Sequence, residues 1–145
     1  MKHVSKSLEE TKTIAEDFVR KLTPWSRALV VALDGDLGSG KTAFSQFVGE
    51  RLGVKDLIQS PTYLIEKIYE LSGQLWQHLI HIDAYRLESE KELLNLGWQD
   101  MVKEPKNLIL IEWAEKVRPI LPEDAIHIVF THEDETTREI EISTS

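Results

Sequence analysis

The chain has 145 residues, the length of one ordinary domain, and 41% of them are hydrophobic, too many for a disordered chain. It contains no cysteine, which excludes disulfides, thiolate metal sites and a cysteine nucleophile, and suits a reducing cytoplasm. Seventeen Lys and Arg against 25 Asp and Glu give a net charge of −8, an acidic surface that repels phosphate backbones, so the chain is not expected to capture nucleic acid by itself.

Met1-Lys2-His3-Val4-Ser5-Lys6 runs straight into a polar helix pattern, without the apolar core of a signal peptide. No apolar run approaches membrane-spanning length. No membrane association is expected, and the predicted location is cytoplasmic. Ser7-Leu8-Glu9-Glu10 forms a capping box, in which the Ser7 hydroxyl takes the Glu10 amide and Glu10 reaches back. Leu8, Ile14, Ala15, Phe18, Val19 and Leu22 recur on one helical face until Thr23-Pro24 stops the helix. Residues 28–33 form a short apolar run of the kind that parallel strands bury on both faces. After a glycine-rich stretch, Phe44, Phe47, Val48 and Leu52 return to helical spacing, and Gly53 marks the stop. Residues 63–71 and 75–82 read as strands of an antiparallel hairpin joined by Ser72-Gly73-Gln74. Ser89-Glu90-Lys91-Glu92 is a second capping box, opening a short helix that ends at Gly97. Residues 108–111 repeat the buried-strand pattern. Residues 125–131 and 137–143 alternate about the acidic turn Glu133-Asp134-Glu135, as a closing hairpin does. The mixture of βα units and hairpins predicts one α/β domain over residues 1–145, with a mixed central sheet and helices on both faces.

Between the first predicted strand, residues 28–33, and the helix after it, Gly35-Asp36-Leu37-Gly38-Ser39-Gly40-Lys41-Thr42 fits G-x-x-x-x-G-K-[ST]. The spacing has a physical reason. Glycines let the loop fold round a polyphosphate with its amides pointing inward, and the following helix offers unpaired N–H groups and the positive end of its dipole. Lys41 is placed for the β- and γ-phosphates, and the Thr42 hydroxyl for Mg²⁺. A hydrophobic strand before the loop and an amphipathic helix after it supply the required context.

Such a site also needs an acid at the end of a hydrophobic strand, holding Mg²⁺ directly or through water. Residues 79–82 run into Asp83, and residues 108–111 run into Glu112. The pattern leaves open which acid serves the metal and which orients water. Ser60-Pro61-Thr62-Tyr63 lies where a nucleotide-sensing loop would sit, with Thr62 able to reach the γ-phosphate or Mg²⁺. The same tetrad also reads as a plain turn.

These stretches together with His81-Ile82-Asp83-Ala84-Tyr85-Arg86 and Ile111-Glu112-Trp113 resemble the TsaE family, the bacterial ATPase subunit of the machinery that makes threonylcarbamoyladenosine on tRNA. The resemblance covers nearly the whole chain. One departure is Ser39 and Ala43, where the family loop commonly reads GAGKTT; neither removes a phosphate or metal ligand. The resemblance implies a P-loop fold, ATP and Mg²⁺ as cofactors, and slow ATP hydrolysis stimulated by the protein partners TsaD and TsaB, with tRNA met only through that complex. It implies that Thr42 and Glu112 hold Mg²⁺, and that Lys41 with the amides of Leu37, Gly38, Ser39, Gly40 and Thr42 holds the phosphates. Thr62 would belong to a switch segment, and Asp83 would orient water. Tyr85 and Arg86 would support the active site or a partner surface. Thr11 would lie near the nucleotide and Arg138 against the base.

The other residues are read more plainly. The five histidines lack metal-ligand spacing, and His81 reads as structural, on the same strand face as Asp83. Trp76 and Trp98 read as core or interface anchors, whereas Trp113, following Glu112, would overhang the site. Arg86 reads either as an internal finger or as an ion-pair partner of Asp83 or Glu88. Two other functions compete with a partner-coupled ATPase. A small-metabolite kinase would need an acceptor pocket and usually a basic lid, and no arginine-rich lid is present. A module keeping ATP as a structural ligand would not need the two strand-end acids.

Overall fold

The apolar runs assemble into one seven-stranded sheet covered by helices on both faces. The computed structural model describes residues 1–36, 38–55 and 66–144. In chain order the elements are β1 (Lys2–Ser5), α1 (Leu8–Arg20), β2 (Leu29–Gly35), α2 (Lys41–Arg51), β3 (Glu66–Glu70), β4 (His78–Asp83), α3 (Glu90–Asn95), α4 (Trp98–Lys103), β5 (Asn107–Glu112), a 3₁₀ segment (Ala114–Ile120), β6 (Ile126–His132) and β7 (Arg138–Thr144). The strand order is β1-β7-β6-β2-β5-β4-β3. The central strands β6, β2, β5 and β4 are parallel, and antiparallel pairs flank them. The mixed sheet expected from the sequence is therefore present.

Strand alternation sorts the core into two layers. Leu29, Val31, Leu33, Leu79, Leu108 and Leu110 pack with α1 and α2 residues such as Phe18, Phe44 and Val48. Val30, Ala32, Ile80, Ile82, Ile109 and Ile111 pack with Leu93, Trp98 and Val117 on the other side. The Phe44 ring is fully buried, with ring centroids 5.7 Å from Phe18 and 5.5 Å from Phe130. That packing fixes α2, and with it Lys41 and Thr42, against the end of β2.

Local signals hold with some shifts. Ser7 Oγ accepts the Glu10 amide at 3.1 Å and caps α1. In the second capping box the roles move by one residue: Ser89 Oγ accepts the Lys91 amide, and the Glu92 carboxylate accepts the Glu88 amide. Gly97 ends α3 as expected, with φ +89, but α4 begins directly after it, anchored by buried Trp98. β1 was not expected. Its side chains have little apolar patterning, and only pairing with β7, from Lys2↔Glu141 to Ser5↔Arg138, makes it a strand. Residues 63–65 of the predicted first hairpin lie outside the described residues, and the remainder pairs β3 with β4.

Candidate active site

The parallel strands β2, β5 and β4 all end on the same sheet edge: Glu112 stands between Leu33 and Asp83 in register, and Gly35 lies two residues beyond Leu33. Gly35 has φ +150, and a Cβ there would stand 2.6 Å from the Phe130 carbonyl oxygen and 2.7 Å from Ser39 Oγ. Only glycine lets the chain leave β2 at this point. Gly38 and Gly40 also have positive φ, and a Cβ on Gly38 would meet nothing within 4 Å. The loop is an open cradle at that position. α2 starts at Lys41 with no capping side chain and no acid in its first turn, so its N-terminal amides face the loop.

Lys41 is buried, at 5% exposure. Its Nζ donates to the carbonyl oxygen of Gly35 and, at 3.0 Å, to that of Asp36. It also lies 4.0 Å from the centroid of the Trp113 ring. Burial pulls the Lys41 ammonium below the usual lysine value, against the opposing pull of Glu112, Glu115, Asp34 and Asp36. Four acidic side chains thus act on one ammonium. A polyphosphate entering this edge would need further positive charge, which a divalent cation could supply.

Thr42 Oγ1 donates to Glu112 Oε1 at 2.9 Å. The other oxygen, Oε2, lies 2.5 Å from His81 Nε2. Glu112 and His81 are 2% and 0% exposed. A hydroxyl and a carboxylate held together beside a helix N-terminus form a pair of hard oxygen ligands, the set that suits Mg²⁺ completed by phosphates and water. Among the described residues no group of three His, Cys, Asp or Glu side chains could hold a metal unaided. Asp83 stands directly across from Glu112 in register, and its Oδ1 accepts the Tyr85 amide at 3.0 Å.

Trp113 has φ +58, an unusual value for a bulky residue, and its amide donates to the Leu33 carbonyl at 3.0 Å. That turn folds the ring back between Lys41 and Tyr85, with ring centroids of Trp113 and Tyr85 5.0 Å apart. The expectation that Trp113 overhangs the site matches this placement. Beside it, Asp34 Oδ1 accepts the Glu115 amide at 3.1 Å, and Asp34 Oδ2 lies 3.6 Å from Arg118 Nη2. A hydrogen bond that the protonated Glu115 carboxyl donates to Asp34, with burial and the Asp34 charge, pushes the Glu115 pKa up to about 7.

The remaining predicted residues divide into three groups. Ser39, Gly40, Lys41, Thr42, Asp83 and Glu112 are gathered at this edge, with Gly38 on the loop. Thr11 and Arg138 lie at the same end of the sheet but on its β1–β7 flank. Thr11 Oγ1 is buried and 2.7 Å from Ser5 Oγ, and Ser5 is the register partner of Arg138. Arg138 Nη1 donates to the carbonyls of Asp134 at 2.9 Å and Glu135 at 3.2 Å. Leu37, Thr62 and the rest of Ser60-Pro61-Thr62-Tyr63 lie outside the described residues. Arg86 is exposed on the loop after β4.

Comparison with known proteins agrees with this geometry. Residues 5–140 match the family model described as threonylcarbamoyl adenosine biosynthesis protein TsaE. The chain belongs to the TsaE family. The tRNA threonylcarbamoyladenosine biosynthesis protein TsaE of Bacillus subtilis strain 168 is 38% identical over 132 residues, spanning 91% of this chain and 78% of that protein. The protein of the same name from Haemophilus influenzae is 35% identical over 116 residues, spanning 80% of this chain and 70% of its own. The crystal structure of Bacillus subtilis YdiB superposes with a TM-score of 0.79 at 30% identity, covering 100% of this chain and 84% of that one. The TsaE assignment agrees with the resemblance carried by the sequence motifs, and the architecture is the expected P-loop-like α/β fold.

Two features of the site are not read from the sequence. His81 reads as structural, yet it bonds Glu112. The available signal is a histidine at the same strand parity as Asp83 within an otherwise apolar run. Asp34 and Glu115 go unremarked, because 81 residues separate them and only folding brings them together.

Proposed function

We propose that this chain is an Mg²⁺-dependent ATPase that serves tRNA threonylcarbamoyladenosine biosynthesis through protein partners. The observation that carries this reading is the Thr42–Glu112 bond beside the glycine cradle and the buried Lys41. Lys41 exchanges its loop carbonyls for β- and γ-phosphate oxygens, and the loop and α2 amides hold the remaining phosphate oxygens. Thr42 and Glu112 hold Mg²⁺, which when bound neutralises charge on those oxygens. Asp83 accepts a hydrogen bond from the attacking water and aims its oxygen at the γ-phosphorus. The new P–O bond forms as the bond to the β–γ bridging oxygen breaks, giving ADP, phosphate and a proton. Trp113, with Tyr85 packed against it, covers Lys41, and the lower local dielectric strengthens its attraction to phosphate.

The role in tRNA modification rests on the family, and TsaD and TsaB are the partners that the resemblance names. The chain's own acidity suits contact with proteins rather than with tRNA directly. The test is reconstitution. Phosphate release is measured for the chain alone, with TsaB and TsaD, and for the Lys41→Ala variant. Slow release alone, a rise with partners and loss in the variant are expected. Transfer of labelled phosphate to a small metabolite instead of water would favour a kinase and contradict the proposal.

A further inference from the structure

His81 occupies a costly position. It lies mid-strand in β4, fully buried, with its Nδ1 buried and without a hydrogen-bond partner among the described residues. For packing alone, an aliphatic side chain of similar volume would cost less than an imidazole with one nitrogen unsatisfied. The other nitrogen is engaged closely, 2.5 Å from Glu112 Oε2.

The register explains what that contact does. His81 sits opposite Leu110 and reaches diagonally to Glu112, two residues further along β5. Asp83, on the same strand face as His81, stands directly opposite Glu112. Two neighbouring carboxylates on one face repel, which would turn the Glu112 side chain away from Asp83. A donor on Oε2 counters that repulsion and fixes the carboxylate plane. The remaining oxygen, Oε1, then faces Thr42 Oγ1.

We infer that His81 is the positioning residue of this site: its Nε2–H holds Glu112 in the orientation that presents Oε1, with Thr42, to the divalent cation of the nucleotide. This rests on the proposed phosphate site. The inference assigns no metal contact to His81 itself; it acts through Glu112, as outer partners of metal-binding carboxylates do.

The test compares His81→Leu, which removes the donor, with His81→Gln, whose amide N–H reaches the place of Nε2–H. Binding of a fluorescent ATP analogue is followed as Mg²⁺ is titrated, and again with the metal chelated. His81→Leu is expected to raise the Mg²⁺ midpoint about 10- to 100-fold, with chelated-state affinity within about twofold of the parent. His81→Gln is expected to recover most of that loss. Parent-like midpoints in both variants, or equal losses in both, would overturn the inference. A second readout needs no variant: ¹⁵N NMR of the parent protein is expected to place the imidazole proton on Nε2, and a proton on Nδ1 alone would overturn it. Lys41→Ala is the reference. If it binds the analogue like the parent, the phosphate site itself fails. If it does not bind and His81→Leu behaves like the parent, only the positioning role fails.

Discussion

On the sheet face covered by α3, α4 and the 3₁₀ segment, β2, β5 and β4 bury aliphatic side chains, and among the described residues the buried polar groups of these strands on that face are Asn107 and Asp34, both at strand ends. On the face covered by α1 and α2, His81 is buried mid-strand, and Lys41, Ser45 and Glu112 are buried at the helix-facing edge. Along β2, β5 and the middle of β4 both faces are buried, so the difference is not one of solvent access. A buried polar group weakens a core unless it is fully bonded. One face is thus built for cohesion, and the other carries polar groups that hold a site in place. Changes of similar size on the two faces should therefore have different consequences.

The strongest contrast comes from Glu112→Gln, which keeps the shape but removes the charge shared between Thr42 and His81. A rise on the order of 100-fold in the Mg²⁺ needed for half-maximal nucleotide binding is expected from a magnesium titration. A parent-like midpoint would break the contrast. Leu93→Ala tests the cohesive face, since Leu93 is fully buried in α3. It should lower stability by about 2–5 kcal/mol in urea unfolding while leaving nucleotide affinity unchanged in the folded protein. Affinity falling in step with stability would mean that the two faces are not separable. Gly35→Ala joins the two effects, because its Cβ would press on the Phe130 carbonyl at 2.6 Å. A loss of about 1–3 kcal/mol together with weakened nucleotide binding is expected, read by melting and by titration.

The smallest effect concerns Glu115. Its carboxyl sits at about 7 in the folded protein, above the ordinary value of 4.5. A carboxyl whose pKa is raised on folding favours the folded state when protonated. Its contribution is complete below pH 4.5 and is lost as pH rises through about 7. Glu115→Gln should flatten the melting temperature across that window, and an unchanged pH profile would count against the Asp34–Glu115 contact as its source.

The cradle was legible in the sequence because its chemistry dictates its spacing: positive-φ glycines, then a lysine and a hydroxyl on the first turn of a helix. The strand-end acids were legible for a similar reason, since apolar runs ending in Asp83 and Glu112 place both on one sheet edge. Their orientation was not legible. It depends on a diagonal contact from His81 and on the register of two strands that are distant in sequence. β1 was hidden because pairing with β7, rather than its own composition, makes it a strand. Asp34 and Glu115 were hidden because only the turn at Trp113 brings them together. Residues 37 and 60–63, which include the expected switch segment, lie outside the described residues.

The central claim is that the loop, Lys41 and the Thr42–Glu112 pair take up the phosphates of ATP with a divalent cation. Isothermal titration of ATP into the protein, with and without Mg²⁺, tests it most directly. One-site binding that Mg²⁺ tightens and that Lys41→Ala weakens more than about 100-fold is predicted. The same affinity with and without the lysine ammonium, or no binding in the presence of Mg²⁺, would contradict it.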